Sequence, residues 1–344
     1  MSMNIQTALG RIAERENLTT GEMVDVMRQI MSAGATDVQI GAFLLGMRIK
    51  RETIDEITGG VQVLREFASG VKVDGPNLVD IVGTGGDGAN LFNVSTAASF
   101  VVAAAGGRVA KHGNRSVSSS SGSADVLEAA GVRLDITPEQ VALCVNELGI
   151  GFMFALMHHS AMRHVSLARK ELGLRTLFNI LGPMANPAGL TRQLIGVYDR
   201  VLCRPVAEVL QRLGSEHVMV VHSDDGLDEI SLAADTHVAE LKNGVVTEHT
   251  LQPEHLGFKR ESMEDLVVGD VASSLQLITS AMAGEKDPRS QRAAHLIALN
   301  AGAALYVAGV APSITDGVSL ADDVLSSGAG LEKMQQLADM TQGF

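Results

Sequence analysis

Hydrophobic residues follow two different spacings along this chain, and the first spacing ends after residue 70. Up to that point apolar residues recur every three or four positions, as in EMVDVMRQIM and VQIGAFLLGMRI. This spacing is typical of amphipathic helices. The capping boxes Thr19-x-x-Glu22 and Thr53-x-x-Glu56 mark the starts of two of them. We therefore expect residues 1–70 to form a small all-helical domain.

Beyond residue 70, short apolar runs alternate with helical patterns. The runs predict strands at 78–82, 108–113, 150–155, 193–198 and 217–222. Helical segments lie between them, at 93–106, 123–132, 137–149 and 199–214, and an Ala-rich helical part begins at 290. Alternating strands and helices are typical of an α/β fold. We expect residues 71–344 to form a large α/β domain with a mostly parallel central sheet flanked by helices, some of the later helices packing against the helical domain.

Two further strands are predicted after these five. HVAEL and VVTEHTL are joined by Lys242-Asn243-Gly244, which predicts a hairpin with a type I′ turn.

Composition narrows the class of protein. Of 344 residues, 46% are hydrophobic and 3% aromatic, which suits helices packed on a sheet. The net charge of −13 argues against nucleic acid as a partner. Two cysteines, Cys144 and Cys203, are too few for a disulfide framework. The start shows no signal peptide, and the most apolar segment, SFVVAAAGG, is too short to span a bilayer. These features predict a cytoplasmic protein with no membrane partner.

A glycine-rich loop, DIVGTGGDGAN at 80–90, follows the first strand and fits the pattern G-x-G-x-x-G. A dinucleotide loop would open its helix inside the glycines, with an acid about 20 residues on. Here the helix starts at Asn93, and the later position falls in GGRVAKHG, which has no acid. A 2′-phosphate site using Arg108 or Lys111 stays open, as does a plain turn that needs positive φ. The sequence of this loop fits better with the binding of a phosphate other than that of a dinucleotide.

The second loop, KHGNRSVSSSSGSAD at 111–125, also follows a strand. It combines cations, an amide, hydroxyls and exposed backbone N–H groups, an inventory that suits a phosphate or pyrophosphate. The next helix N-terminus adds its dipole. The alternative is a flexible Ser-rich surface loop.

A third polar loop, in VVHSDDGLDEIS, carries Asp228 and Glu229 after a strand. Carboxylate oxygens are what Mg²⁺ prefers, and Mg²⁺ is usually shared with substrate phosphates. Taken alone, such a pair is more often a solvated turn, and Asp224 and Asp225 compete for the role.

The segment 152–189 is rich in histidine and arginine. His158, His159 and His164 lack the i, i+4 spacing of a helical zinc motif, so we expect no zinc site. Arg169 lies on a predicted helix, where a surface arginine is the simpler interpretation. Turn-forming residues predict a structured loop that shapes a pocket wall: Asn179, Gly182, Pro183, Asn186 and Pro187.

Four of these motifs, in this order, resemble those of the anthranilate phosphoribosyltransferase family: GTGGDGANLFNVST, KHGNRSVSSSSGSADVLEA, RKELGLRTLFNILGPMANPAG and GLDEIS. The resemblance runs over nearly the whole chain. It implies transfer of a phosphoribosyl group from 5-phosphoribosyl 1-diphosphate to anthranilate, which releases pyrophosphate, in tryptophan biosynthesis. It also implies a homodimer formed largely through the helical part, and two Mg²⁺ ions per subunit.

The resemblance also implies roles for individual residues. The phosphoribosyl diphosphate site would comprise Gly83, Gly86, Asp87, Asn93, Val94, Ser95, Thr96, Lys111, His112, Gly113, Asn114, Arg115, Ser116, Val117, Ser118, Ser119 and Ser123. Anthranilate would contact Gly83, Asn114 and Arg169, and the metal ligands would be Ser95, Asp228 and Glu229. The aromatic amine can attack first and lose its proton later, so we name no obligatory catalytic base.

Four positions depart from the family pattern. Leu91 replaces a common Thr or Ser, Ser160 and Leu167 replace prolines, and Arg163 replaces a common Lys. They leave the charged groups of the motifs in place.

Other functions explain less of the chain. A pyrimidine nucleoside phosphorylase shares the fold and a related glycine loop, but it would leave Asp228 and Glu229 without a role. A non-enzymatic relative that binds nucleic acid would need a basic face, whereas the pI is near 5.2. A nicotinamide-dependent oxidoreductase is the weakest alternative.

Overall fold

The N-terminal part is a bundle of four helices. The computed structural model of the chain describes residues 2–115 and 121–344. The capping boxes at Thr19 and Thr53 are both formed. In each, the threonine hydroxyl accepts from the backbone N–H of the glutamate three residues later, and the carboxylate of that glutamate accepts from the threonine N–H. The helices are α1 (Ile5–Ala13), α2 (Thr20–Met31), α3 (Asp37–Lys50) and α4 (Ile54–Glu66).

A mixed sheet forms the centre of the rest of the chain, in the order β3-β2-β1-β4-β5-β6-β7. The strands are β1 (Leu78–Gly83), β2 (Arg108–Gly113), β3 (Ile150–Phe154), β4 (Arg192–Gly196), β5 (His217–Ser223), β6 (Thr236–Lys242) and β7 (Val245–Leu251). The strands β1 to β5 pair in parallel, and β6 and β7 add an antiparallel hairpin. Asn243 and Gly244 have φ of 52° and 74°, as a type I′ turn requires. The expected α/β fold with a mostly parallel sheet is confirmed.

Helices cover both faces of the sheet. They are α5 (Val94–Ala104), α6 (Ser123–Ala129), α7 (Pro138–Leu148), α8 (Ala155–His158), α9 (Arg163–Leu172), α10 (Leu177–Met184), α11 (Cys203–Arg212), α12 (Val271–Met282), α13 (Pro288–Ala308), α14 (Ile314–Ser327) and α15 (Ala329–Gln342). No helix in these described ranges combines the length and the apolarity that crossing a membrane requires.

The sheet separates two hydrophobic cores. Alternate residues of one strand face opposite sides, so Leu194 of β4 joins one core and Ile195 the other. The first core contains α5, α7 and the C-terminal helices. The second contains α9, α10 and α11 together with the N-terminal bundle. The division of the chain at residue 70 stays a prediction, because the bundle shares its core with later helices.

The prediction of a loop through Asn179, Gly182 and Pro183 was wrong, because these residues lie in α10. Thr176 N–H donates to Asn179 Oδ1 at 2.9 Å, a cap that starts the helix, and Pro183 is tolerated because the helix ends one residue later. Several boundaries also moved. Strand β3 ends at Phe154 and α8 begins at the next residue, β4 ends at Gly196, α6 ends at Ala129, and a 3₁₀ turn precedes α11.

Candidate functional site

The candidate residues meet at the carboxyl ends of β1, β2 and β5. Because these strands run parallel, their ends share one edge of the sheet, where α/β proteins commonly bind ligands. Gly83 ends β1, Gly113 ends β2 and Ser223 ends β5. The three loops singled out in the sequence follow these residues.

The glycine loop lies directly against the acidic loop. Gly85 N–H donates to Asp228 Oδ2 at 2.8 Å. A Cβ at Gly83 would stand 2.5 Å from the same oxygen, so a side chain there would displace the carboxylate. Gly85, Gly86 and Gly88 all have positive φ, which favours glycine. The glycines therefore shape the loop and leave room for Asp228.

Gly196, at the end of β4, is a further requirement that the sequence analysis missed. A Cβ at this position would stand 1.6 Å from the Asp228 carbonyl oxygen. The backbone of the acidic loop thus crosses β4 where only glycine fits. A glycine inside the strand pattern QLIGVY was the available signal, because such a glycine often marks a close backbone approach.

Asp228 and Glu229 form a partly buried acidic centre at this edge of the sheet. We call the space between the loops that follow β1, β2 and β5 the cleft. Glu229 Oε1 accepts from Ser95 N–H at 3.2 Å, and neither carboxylate has a salt bridge within the described ranges. Burial raises the pKa of Asp228, and repulsion from Asp87 raises it further. Burial and the charge of Asp228 likewise raise the pKa of Glu229, with Lys111 opposing them. The charged forms of both carboxylates are therefore disfavoured in the unliganded site, and a bound cation would favour them.

The competing acids of the same loop have other partners. Asp224 Oδ1 bonds His237 Nε2 at 2.7 Å, and Asp225 Oδ2 accepts from Ser231 Oγ at 2.6 Å. Both residues are exposed. The contacts favour Asp228 and Glu229 as the pair in the cleft.

Lys111 lies at the floor of the cleft. Its buried ammonium group donates to the Ile81 carbonyl oxygen and, at 3.3 Å, to Ser95 Oγ. Burial lowers the pKa of Lys111, and the charges of Asp80 and Glu229 oppose that shift. Lys111 therefore brings a positive charge close to Ser95 and the acidic centre.

Asp80 is a buried acid of β1 that the sequence analysis did not single out. It accepts from His112 N–H at 3.2 Å and from Asn186 Nδ2 at 2.7 Å. Burial raises its pKa to about 6, although Lys111 counteracts the shift. Asn186, expected in a pocket wall, instead ties Asp80 to the Ala110 carbonyl oxygen. An acid inside the apolar run LVDIV was the sequence signal.

The N-terminus of α5 faces the same cleft. The Asn93 side chain makes no capping bond with its own helix; it donates to the Ser121 carbonyl oxygen at 3.2 Å and accepts from Ser274 Oγ at 2.8 Å. Val94 and Thr96 are buried, and Thr96 Oγ1 has no hydrogen-bond partner in the described chain. The side chains of Val94 and Thr96 thus face the interior. Only the backbone N–H groups of these two residues are left to bind a ligand.

The second loop is described only at its two ends. The Arg115 guanidinium is exposed and bonds Asp125 at 2.9 Å and Glu128 at 2.8 Å. Ser123 Oγ donates to the Asn114 carbonyl oxygen at 3.3 Å, and a Cβ at Gly113 would collide with that hydroxyl. Four predicted ligands lie outside the described residues: Ser116, Val117, Ser118 and Ser119.

His112, His158 and His159 are buried, whereas His164 on α9 is only partly buried. His112 and His159 stand 5.0 Å apart between ring centroids. Burial lowers the pKa of His159 to about 4 and that of His112 well below its ordinary value. His158 Nδ1 bonds the Ser69 carbonyl oxygen at 2.9 Å. Over residues 2–115 and 121–344, no group of three or more His, Cys, Asp or Glu side chains is arranged to hold a metal ion.

Arg169, on α9, is not joined to the phosphate loops by any hydrogen bond between described residues. Its guanidinium lies 5.5 Å from the centre of the Phe178 ring, and burial lowers its pKa. It is half-buried, with no ion pair to any residue that the structure describes. A half-buried guanidinium in this state is available to an anionic ligand.

No hydrogen bond between described residues joins the departures from the family pattern to Asp228 or Glu229. Leu91 packs against the first core and forms an isolated bridge with Val267. Ser160 begins a 3₁₀ turn, and the Leu167 side chain is exposed on α9.

Magnesium fits this centre only if a substrate completes its coordination. Asp228 and Glu229 supply hard oxygen donors whose ionised form needs a nearby cation, and the Ser95 hydroxyl is linked to the same site through Lys111. Two carboxylates are fewer ligands than a closed protein site would need. Mg²⁺ commonly binds one or two carboxylates plus substrate phosphates, and that is the arrangement these residues suit.

Comparison with known proteins decides the family. The helical-bundle domain model of the glycosyl transferase family matches residues 6–68, and its α/β domain model matches residues 75–331. The anthranilate phosphoribosyltransferase of Marinobacter nauticus is 61% identical over 99% of this chain and 100% of its own length. The chain belongs to the anthranilate phosphoribosyltransferase family.

Solved structures agree with this assignment. The enzyme of that family from Thermus thermophilus has a TM-score of 0.91 at 40% identity, with 97% of this chain and 99% of that chain covered. The Saccharomyces cerevisiae enzyme, described in complex with PRPP and Mg, has a TM-score of 0.88 over 99% of this chain and 98% of its own. At 22% identity, the yeast structure shows the shared fold.

Proposed function

We propose that the cleft at the ends of β1, β2 and β5 is where this enzyme of the anthranilate phosphoribosyltransferase family transfers a phosphoribosyl group to anthranilate. The bond from C1 of the ribose to the pyrophosphate oxygen breaks, and a bond from C1 to the amine nitrogen forms. The amine then loses a proton. The observation that carries the proposal is the acidic centre of Asp228 and Glu229 held against a glycine loop.

The acidic centre would hold Mg²⁺, with Asp228 binding one ion, Glu229 bridging two and Ser95 contacting one. When bound, Mg²⁺ would neutralise charge on the departing pyrophosphate. The use of Mg²⁺ follows from the family, and the number of two ions per subunit is our proposal. The lack of a salt bridge to either carboxylate in the described ranges supports the binding of a cation at this centre.

The phosphates would lie between the loops after β1 and β2. The backbone of Gly83, Gly86 and Asp87 and the N-terminus of α5 would supply N–H groups, which favour anions. Lys111 would add a fixed positive charge through the floor of the cleft. These groups are already in place before the substrate arrives, so they stabilise developing negative charge with little reorganisation.

Arg169 would bind the anthranilate carboxylate, with Asn114 and the Gly83 backbone near the ring. A guanidinium offers two parallel N–H donors to a carboxylate. Its lack of an ion pair among the described residues supports this role. With the ring fixed in this way, the amine would face C1, and orientation rather than a base would supply the chemistry.

We also propose the homodimer. Exposed apolar side chains lie at helical spacing on α3, at Val38, Leu45 and Ile49, and α9, which packs beside it, exposes Leu167. A second copy of the chain would cover this face. The chain should then elute near twice its 36.1 kDa mass, and Ile49→Glu should shift it toward the monomer.

The transfer is tested by mixing the protein with anthranilate, phosphoribosyl diphosphate and Mg²⁺ and following anthranilate fluorescence. We expect a loss of fluorescence that needs both substrates and stops with EDTA. Phosphorolysis of a pyrimidine nucleoside without such a loss would support the alternative enzyme.

The anthranilate site is tested with Arg169→Ala. It should raise the anthranilate KM by roughly tenfold or more, the loss of one charge-assisted pair, and leave the phosphoribosyl diphosphate KM within about twofold. Arg163→Ala, an exposed arginine on the same helix, is the matched control. Equal effects of Arg169→Ala on both KM values would remove Arg169 from the anthranilate site.

A further inference from the structure

A single peptide group, between Glu229 and Ile230, is held at both ends by buried side chains. Ser223 Oγ donates to the Glu229 carbonyl oxygen at 2.6 Å. The Ile230 N–H of the same peptide donates to Asn300 Oδ1 at 2.9 Å. Ser223 and Asn300 are both fully buried. The plane of this peptide is therefore fixed from two sides.

Asn300 provides more than one contact. Its Nδ2 donates to the Ile230 carbonyl oxygen at 3.0 Å and to the Leu296 carbonyl oxygen, also at 3.0 Å, within its own helix α13. The side chain thus pairs both the N–H and the C=O of Ile230, as a neighbouring β-strand would. The bond to Leu296 fixes the amide itself. The backbone of Ile230, which lies outside the sheet, is therefore hydrogen-bonded on both groups in the way that a residue within a sheet is.

A second hydroxyl holds the next residue. Thr236 Oγ1 lies 2.7 Å from Ser223 Oγ and accepts from Ser231 N–H at 3.2 Å. Because Ser223 donates to Glu229, Thr236 must donate to Ser223. The backbone from Glu229 to Ser231 is thereby bound to β5, β6 and α13 at once.

We infer that Asn300 is a positioning residue for the Glu229 carboxylate, acting with Ser223 through the Glu229–Ile230 peptide. The inference rests on the proposed metal role of Asp228 and Glu229. The orientation of that peptide fixes the direction in which the Glu229 side chain leaves the backbone. Metal sites tolerate displacements of only about 0.5 Å, so a rotated peptide would weaken divalent-cation binding while the fold survives.

The test measures metal binding without turnover. Mn²⁺ replaces Mg²⁺, phosphoribosyl diphosphate is present, anthranilate is omitted, and free Mn²⁺ is followed by electron paramagnetic resonance. Asn300→Leu should raise the Mn²⁺ Kd by roughly tenfold to a hundredfold, the range seen when supporting partners of metal ligands are removed. Ser223→Ala removes one hydrogen bond to the same peptide and should raise the Mn²⁺ Kd by a smaller factor. This variant replaces Asn300→Leu in the test if Asn300→Leu does not fold.

Leu305→Ala is the matched control, because it opens a cavity in the same helix and removes none of the hydrogen bonds to the loop. It should lower the Tm and leave the Mn²⁺ Kd unchanged. In a double-mutant cycle with Glu229→Gln, the effect of Asn300→Leu on Mn²⁺ binding should largely disappear.

The outcomes separate two failures. Failure of the wild-type protein to bind Mn²⁺ would overturn the metal assignment and the inference with it. Binding by the wild type with an unchanged Kd in Asn300→Leu, or an additive cycle, would overturn the positioning role alone.

Discussion

Two buried lysines lie close to carboxylates in this molecule, one in the helical bundle and one in the cleft. In the bundle, Lys50 Nζ donates to Glu56 Oε2 at 2.7 Å, to Asn17 Oδ1 at 2.9 Å and to the Arg51 carbonyl oxygen at 3.0 Å. Glu56 in turn accepts from the Leu18 N–H at 2.8 Å. All the polar atoms of this pair have partners.

The cleft contains the same kinds of side chain in a different arrangement. Lys111 donates to Ile81 and Ser95 and forms no salt bridge within the described residues, although Asp80 and Glu229 influence its charge. Asp228 accepts from the Gly85 N–H of the glycine loop, and Glu229 accepts from the Ser95 N–H of α5. The bundle pair is complete without a ligand, whereas the cleft leaves bonding capacity open.

This difference indicates separate roles for the buried charges of the bundle and those of the cleft. A buried charge is tolerated when it is paired and fully hydrogen-bonded. The bundle meets this condition internally, so we assign the Lys50–Glu56 pair to folding. The cleft meets it only when phosphates and Mg²⁺ arrive, so we assign its charges to binding.

The largest effect is expected from breaking the bundle pair. Glu56→Leu leaves the Lys50 ammonium buried without its counter-charge and should lower the free energy of unfolding by about 4 kcal/mol. Urea denaturation measures this change. Glu66→Leu, which removes an exposed ion pair from the same helix, should cost less than about 1 kcal/mol. Equal effects of the two variants would refute the assignment of Lys50 and Glu56 to folding.

Neutralising an acid in the cleft should lower activity without lowering stability. Glu229→Gln keeps an acceptor for Ser95 N–H but removes one charge from the acidic centre. We expect kcat/KM to fall at least about a hundredfold, as for loss of a major electrostatic contact. The unliganded protein should be as stable as the wild type or more so, because repulsion with Asp228 is relieved.

Asp224→Asn is the control for that variant, since Asp224 is an exposed acid of the same loop. It should retain activity within about twofold, as most surface changes do. A Glu229→Gln protein that is both fully active and less stable would place this acid with the bundle pair.

Replacing both members of the bundle pair gives a smaller effect than replacing one. Lys50→Met with Glu56→Leu removes the orphaned charge and should recover about 2 kcal/mol relative to Glu56→Leu alone. Recovery stays incomplete because Leu18 and Thr53 N–H lose their acceptor. A double variant no more stable than Glu56→Leu would show that the hydrogen bonds of Glu56, rather than the charge pair, stabilise the bundle.

The sequence predicted the features that depend on neighbours along the chain. The capping boxes, the parallel strands and the loops after them were all visible as local patterns. The residues that support the site were not, because their partners are distant in sequence. Asn300 meets Ile230 across 70 residues, and Ser274 meets Asn93 across 181. A buried asparagine in an Ala-rich helix carries no local sign of the loop that it holds.

The two cysteines offer the finest test of the comparison, because each reports on one core. Cys144 lies in the first core and Cys203 in the core of the bundle. Burial raises the pKa of Cys144 to about 11 and that of Cys203 to about 12, so both stay protonated thiols at pH 8. Because both folded-state pKa values lie above the unfolded value, the protonated thiols contribute to stability below about pH 9. This contribution is lost as the pH rises toward 11 for Cys144 and toward 12 for Cys203.

At pH 8, Ellman's reagent should therefore modify neither thiol of the native protein within minutes. Glu56→Leu weakens α4, against which the helix of Cys203 packs, so it should speed modification of Cys203 more than that of Cys144. Glu66→Leu should change neither rate by more than about twofold. Equal acceleration of both thiols by Glu56→Leu would mean that the two cores open as one cooperative unit, and that the bundle pair stabilises the cleft as much as its own helices.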